Sequence, residues 1–229
     1  MTSASSSRPP IKSYVRRTGR LTAAQKNALI EYWSLYGINF QDSQIDLEAL
    51  SHGFEALKLE IGFGNGEALI SMAKNDPEAL YLGVEVHESG VGRCLNSIHE
   101  GAIENIRLIK HDAVEVMQKM LPSQSLDRVL LFFPDPWHKR RHNKRRIVNQ
   151  VFRDLLAHLL KPGGVVHMAT DWRDYAEHMA AEMLSDPRFE NSGGEAGYSE
   201  KPAYRPLTHF ENRGVKLGHG VWDLVFRKS

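Results

Sequence analysis

Five short apolar runs separated by amphipathic stretches constrain this chain more than any other feature. The runs are ALKLEIG (56–62), LYLGVEV (80–86), IRLIKHD (106–112), LDRVLLFF (126–133) and GGVVHMAT (163–170). Each is short and rich in leucine or β-branched residues, as a buried strand requires. Between them lie GEALISMAKN, SGVGRCLNSIHEG, AVEVMQKML and IVNQVFRDLLAHLL, whose apolar residues fall three and four apart. That spacing makes one apolar helix face. Strand–helix alternation of this kind predicts an α/β domain, a mostly parallel sheet with helices on both faces. At 229 residues and 41% apolar, the chain can bury one such core.

The ends differ from this pattern. Residues 1–20 lack helical or strand periodicity and read as a flexible basic arm, with residues 21–229 forming the single domain. No acidic residue precedes Glu31, whereas Arg8, Lys12, Arg16, Arg17, Arg20 and Lys26 do, although the whole chain carries only +1. A transit peptide has a similar Ser- and Arg-rich, acid-poor composition. LTAAQKNALIEYWSLYGI suggests a short helix capped by Thr22. Near the C-terminus, HFENRGVKLGH and VWDLVFRK, joined through Gly-His-Gly, suggest an antiparallel hairpin at one sheet edge. The lone Cys94 excludes an intramolecular disulfide and a multi-cysteine zinc site, and points to a reducing compartment, the cytoplasm. No apolar run is long enough to span a bilayer, so no membrane partner is expected.

LEIGFGNGEAL places Gly62, Gly64 and Gly66 between the first long strand and its helix. Glycines there permit a tight bend and close approach of a ligand to the main chain. The G-x-G-x-G spacing departs from the dinucleotide fingerprint and lacks the phosphate-loop lysine. Three acids then mark successive strand ends: Glu60 before the turn, Glu85 closing the second strand and Asp112 ending the third. In this architecture those ends face one crevice. Anionic side chains around a glycine turn disfavour a pyrophosphate and suit a cationic, ribose-bearing ligand. S-Adenosylmethionine fits, with Glu60 near its amino-acid end, Glu85 on the ribose and Asp112 near the adenine amine.

The fourth run ends in FFPDPWHKRRHNKRR, which holds Asp135 and then six lysines and arginines between Lys139 and Arg146. A charge run is often a solvated helix face. This one has no interleaved acids with which to pair, so phosphates are its natural partners. Trp137 suits either stacking on a base or packing beneath the loop. His138 and His142 have no acidic or cysteine partner nearby, and no metal is expected there.

At this segment the sequence resembles the bacterial tRNA (guanine-N7-)-methyltransferases. LEIGFGNG, GVEVHESGV, PDPWHKRRHNKRR, LLKPGG, ATDW and YRPLTHFENRG occur in that family's order, over roughly residues 16–226. The resemblance implies a Rossmann-like class I methyltransferase fold with a seven-stranded, mostly parallel sheet and one antiparallel edge strand. It implies S-adenosylmethionine as cofactor, bound through Glu60, Gly62, Gly64, Gly66, Glu85, Asp112 and Asp135. It implies transfer of a methyl group to N7 of the guanine at position 46 in the variable loop of tRNA, with Asp135 catalytic. Lys139, Asp171, Thr208, His209, Phe210 and Glu211 match substrate-binding positions. Arg141, His142, Asn143, Lys144, Arg145 and Arg146 match an RNA-contacting segment. Related enzymes are monomers or homodimers.

Competing readings differ in specific residues. Amino-methyltransferases carry a [D/N]-P-P-[Y/F/W] loop, whereas here Asp135 separates the two prolines. A non-catalytic RNA-binding module has no need of four acids around a glycine turn. A nicotinamide-dependent reductase is disfavoured by the glycine spacing and by the absence of a Ser/Tyr/Lys-type proton relay.

Overall fold

The computed structural model describes residues 12–15, 20–194, 196–208, 211 and 220–229. The chain enters through helices α1 (Ala23–Glu31) and α2 (Trp33–Tyr36), strand β1 (Gly37–Ile38) and helix α3 (Leu47–Leu50). The alternating core follows: β2 (Ala56–Ile61), α4 (Glu67–Lys74), β3 (Ala79–Val84), α5 (Glu88–Glu100), β4 (Ile106–Ile109), α6 (Ala113–Lys119) and β5 (Leu126–Phe132). A 3-10 helix (Arg140–Arg145) leads into α7 (Gln150–Leu159), β6 (Leu160–Thr170), α8 (Arg173–Leu184), β7 (Phe189–Asn191) and β8 (Trp222–Lys228). Each of the five apolar runs forms a strand, because its residues meet apolar helix faces on both sides of the sheet. Every residue of β3 is buried.

The strand order is β1-β4-β3-β2-β5-β6-β8-β7, eight strands among the described residues, so the expected architecture gains one. The addition is β1, two residues paired in parallel with Leu108 and Ile109 of β4. Only β8 runs against the rest: it is antiparallel to β6 on one side and to β7 on the other. The antiparallel strand therefore lies one place in from the edge, and its neighbours are not those of the expected hairpin. Most of HFENRGVKLGH lies outside the described residues. The chain reverses from β2 toward β3 on one side and β5 on the other, with both pairings parallel. That reversal opens a crevice above the C-terminal strand ends.

Local signals explain the helix boundaries. Thr22 Oγ1 accepts from the Gln25 N–H while the Gln25 side chain accepts from the Thr22 N–H, the reciprocal cap expected of this pair. Asp112 caps α6 by accepting from the Val114 N–H at 3.0 Å, and Asn149 caps α7. Helix α7 buries Phe152, Leu156 and Leu159 at helical spacing. Truncating Leu156 to alanine would cost about 2–5 kcal/mol. Cys94 is fully buried against the glycine turn, and burial pushes its thiol well above the ordinary range, so it is a core side chain and no nucleophile.

Candidate active site

A cleft of about 200 Å³ opens where the topology reverses, lined by Gly62, Glu85, His111, Asp112, Phe133 and Asp135 among others. Gly62, Gly64 and Gly66 all adopt positive φ (70°, 56° and 83°). At Gly66 a side chain is doubly excluded, since an added Cβ would also lie 2.4 Å from Cys94 Sγ. The turn brings the Gly64 N–H to Glu85, whose Oε2 accepts it at 3.0 Å. The other Glu85 oxygen accepts from the Val86 and His87 backbone N–H groups at 2.7 and 2.9 Å. Glu85 therefore knits the loop to the end of β3 and keeps one face toward the cleft.

Glu60 is only 3% exposed, and its Oε2 has no hydrogen-bond partner. Burial, aided by the charge of Glu85, pushes its carboxyl up to about 8. A buried, unpartnered carboxyl oxygen beside the glycine turn is complementary to a cation. Asp112 accepts from Lys12 Nζ at 2.7 Å, and the same ammonium reaches Glu115 at 2.6 Å. Glu115 also meets His111 Nε2. Both Lys12 and His111 hold the Glu115 carboxyl below its usual range.

Lys12 belongs to a segment that lies across the cleft. Four consecutive carbonyls of residues 12–15 accept bonds from the domain. Arg145 donates to Lys12 and Tyr14, Trp137 Nε1 donates to Ser13 at 2.9 Å, and His87 Nε2 lies 3.2 Å from that of Val15. Ser13 and Tyr14 thereby become cleft walls. The composition of the arm gave no sign of this docking.

Asp135 is exposed at the cleft mouth. Its loop is held in an unusual shape, since Phe133 and Trp137 both have positive φ (51° and 47°), a strained state for non-glycine residues. The surrounding structure over-determines that shape. The Phe133 N–H donates to Ala169 at 2.7 Å, and Arg146 Nε donates to the Pro136 carbonyl at 3.0 Å. Arg146 also pairs with Asp174 and lies over the Tyr175 ring. Only 3% exposed, Arg146 is a bracket beneath the loop and has no surface to offer a phosphate.

The rest of the basic segment divides in the same way. Arg145 stacks on Trp137, 4.2 Å from the ring, while it grips the segment at 12–15. Trp137 is thereby packed on one face. The Asn143 amide, oriented to satisfy its neighbours, donates to the Trp137 and Lys139 carbonyls. His142 is half-buried, whereas Lys139, Arg140, Arg141 and Lys144 point to solvent. Asp171, beyond β6, is exposed in a separate shallow cleft walled by Trp172 and Trp222. Thr208 Oγ1 accepts from the Glu211 N–H at 3.2 Å, and Glu211 is buried against Arg205. His209 and Phe210 lie outside the described residues.

Comparisons with known proteins agree with this geometry. A family model described as a putative methyltransferase matches residues 55–224. The solved structure of the 16S rRNA methyltransferase KamB superposes with a TM-score of 0.57 at 14% identity, covering 83% of this chain and 95% of that one. TrmN from Thermus thermophilus gives 0.54 at 17% identity, over 80% and 47%. A doubly wound sheet with a glycine turn after β2 and acids at the next strand ends thus defines a class I methyltransferase. The tRNA (guanine-N(7)-)-methyltransferase of Cronobacter sakazakii is 54% identical over 216 residues, 94% of this chain and 90% of its own length. That of Escherichia coli is 53% identical over 218 residues, 95% and 91%. The chain belongs to the tRNA (guanine-N(7)-)-methyltransferase family.

Proposed function

We propose that this chain transfers a methyl group from S-adenosylmethionine to N7 of the guanine at position 46 of tRNA. The observation that carries the reading is Glu60, a buried carboxyl with a free oxygen beside a glycine turn. The names of the 52–54% identical relatives then specify the acceptor. S-Adenosylmethionine supplies an electrophilic methyl group on a sulfonium. Glu60 would hold the cationic amino-acid end, Glu85 the ribose hydroxyls and Asp112 the adenine amine, for which Asp112 would exchange Lys12.

Guanine N7 has a lone pair and no proton, so the site needs no general base to activate it. What the chain must provide is orientation and a response to charge, because the positive charge moves onto the guanine ring. Asp135, fixed at the cleft mouth by its braced loop, would either stabilise that cation or accept from guanine N1–H and N2–H₂. Asp171 is a second acceptor for the donor edge. Lys139, Arg141 and Lys144, exposed and without carboxylate partners among the described residues, suit tRNA phosphates.

The test uses the purified chain, methyl-labelled S-adenosylmethionine, unmodified tRNA transcript and a matched transcript with adenine in place of the variable-loop guanine. Digestion and mass spectrometry identify the product nucleoside. 7-Methylguanosine from the first transcript and none from the second is expected. Methyl incorporated elsewhere would move the substrate, and tRNA binding without incorporation would overturn the enzymatic reading.

A further inference from the structure

One buried ionic cluster lies outside the cleft and is not used by the chemistry above. At its centre is Arg205, 1% exposed. Its Nε and one terminal nitrogen donate to the two oxygens of Asp223 on β8, at 2.6 and 2.8 Å. Its two terminal nitrogens donate to the two oxygens of Glu211, at 2.6 and 3.0 Å. Asp223 is held from behind by His167 of β6, whose Nε2 donates at 2.7 Å while Nδ1 accepts from the Tyr204 hydroxyl at 2.9 Å. Burial keeps His167 below its ordinary pKa despite the neighbouring carboxylate, which agrees with that neutral tautomer. The Arg128 guanidinium lies over the Tyr204 ring, 4.1 Å from its centre.

Stability is a poor reason to keep such a cluster. Desolvating a guanidinium and two carboxylates opposes their mutual attraction, and apolar replacements are often equally stable. What a bidentate guanidinium supplies is geometry, since its planar fork fixes both partners in distance and direction. Three pieces of the molecule meet at this fork. Asp223 ties it to the sheet. Glu211 ties it to the segment whose Thr208 hydroxyl accepts from the Glu211 N–H. The rings of Phe132 and Phe133 lie 5.9 and 5.8 Å from the guanidinium carbon, and they wall the cleft and lead directly into Pro134 and Asp135.

We propose that Arg205 is a positioning residue for methyl transfer. Its four-bond clamp between Asp223 and Glu211 sets Glu211, and Thr208 bonded to it, in fixed relation to the strand end that carries Asp135, and so places the acceptor guanosine. This rests on the functional reading above. Arg205 touches neither substrate nor cofactor. Its action is through the segment it holds.

The test is Arg205→Lys, which keeps the charge but has a single nitrogen in place of the fork. The readouts are kcat for 7-methylguanosine formation, the cofactor Kd by calorimetry, and hydrogen exchange in the peptide containing Glu211. A tenfold or greater fall in kcat, a cofactor Kd within twofold and faster exchange at the Glu211 amide are expected. Unchanged kcat and exchange would overturn the clamp, as would cofactor affinity falling in parallel with activity, the mark of a general structural role. Should this variant fold too weakly to assay, Asp223→Asn cuts the clamp on its sheet side and must give the same split. A wild-type chain that forms no 7-methylguanosine would instead overturn the functional reading, and the exchange rate at Glu211 would still decide whether the clamp holds the segment.

Discussion

Replacing Glu60 by Gln removes one buried ionisable group beside the glycine turn, and its effect on cofactor affinity depends on pH in a way the structure specifies. In the ligand-free chain, burial and then repulsion from Glu85 push Glu60 up to about 8, so at pH 6 it holds its proton. A cationic ligand set against the unpartnered Oε2 favours the carboxylate. Binding below pH 8 therefore expels that proton, and wild-type affinity climbs by up to about tenfold per pH unit before levelling off near pH 8. The α-amino group of S-adenosylmethionine itself titrates near 8. The Glu60 contribution is accordingly read from the ratio of wild-type to Glu60→Gln affinity, which should change by up to about 100-fold between pH 6 and 8. Calorimetry in buffers of different ionisation heat should detect about one proton released per ligand by wild type at pH 7, and about one fewer by the variant. A ratio that stays constant across this range would refute the reasoning. The same group acts on folding. Its folded pKa lies above the ordinary carboxylate value, so the folded chain binds the extra proton between the two. Ligand-free stability should then fall as pH rises through this window, by up to about 1.4 kcal/mol per pH unit, and saturating cofactor should reduce the dependence.

Three further outcomes are expected. Asp135→Asn should lower kcat by at least about 100-fold and leave cofactor and tRNA affinities within about threefold, as measured by single-turnover kinetics and filter binding; near-normal turnover would remove Asp135 from the chemistry. Neutralising Lys139, Arg141 and Lys144 together should weaken tRNA binding and reduce the slope of log K against log salt by about 2, whereas Arg146→Ala should chiefly lower Tm, because Arg146 braces the loop from below. Lys12→Ala removes the charge-assisted bond to Glu115, the one Lys12 keeps once Asp112 has turned to the adenine amine. Cofactor dissociation in stopped flow should become about three- to tenfold faster, and an unchanged rate would mean that residues 12–15 do not cover the bound ligand.

The central strands were readable because an apolar run bounded by turn residues has few other uses, and parallel topology, which sends successive strand ends to one crevice, accounts for Glu85, Asp112 and Asp135 lining one cleft. What could not be read follows from the same logic. β1 and β7 have two and three residues and leave no periodic trace. The run from Lys139 to Arg146 is uniform as a string, yet Arg141 faces water while Arg146 turns inward onto Asp174 and Tyr175. Nothing in a count of charges marks that difference. Glu211 stood out only as part of a motif that resembles a substrate-binding one, and nothing in the string showed that both its oxygens meet Arg205. Asp223 lies eighteen residues from that arginine, and His167 is further still along the chain. A clamp assembled from separate segments has no local signature.

The grip on residues 12–15 has a consequence for how this region can change over time. Arg145, Trp137 and His87 all meet main-chain carbonyls, atoms that every amino acid presents alike. Apart from Lys12, whose ammonium reaches two acids, these contacts do not depend on the identity of the residues they hold. Substitutions in this stretch can therefore accumulate without unfastening it, much as a rail accepts any carriage of the right gauge. Selection on its side chains is left free to answer to whatever approaches from outside.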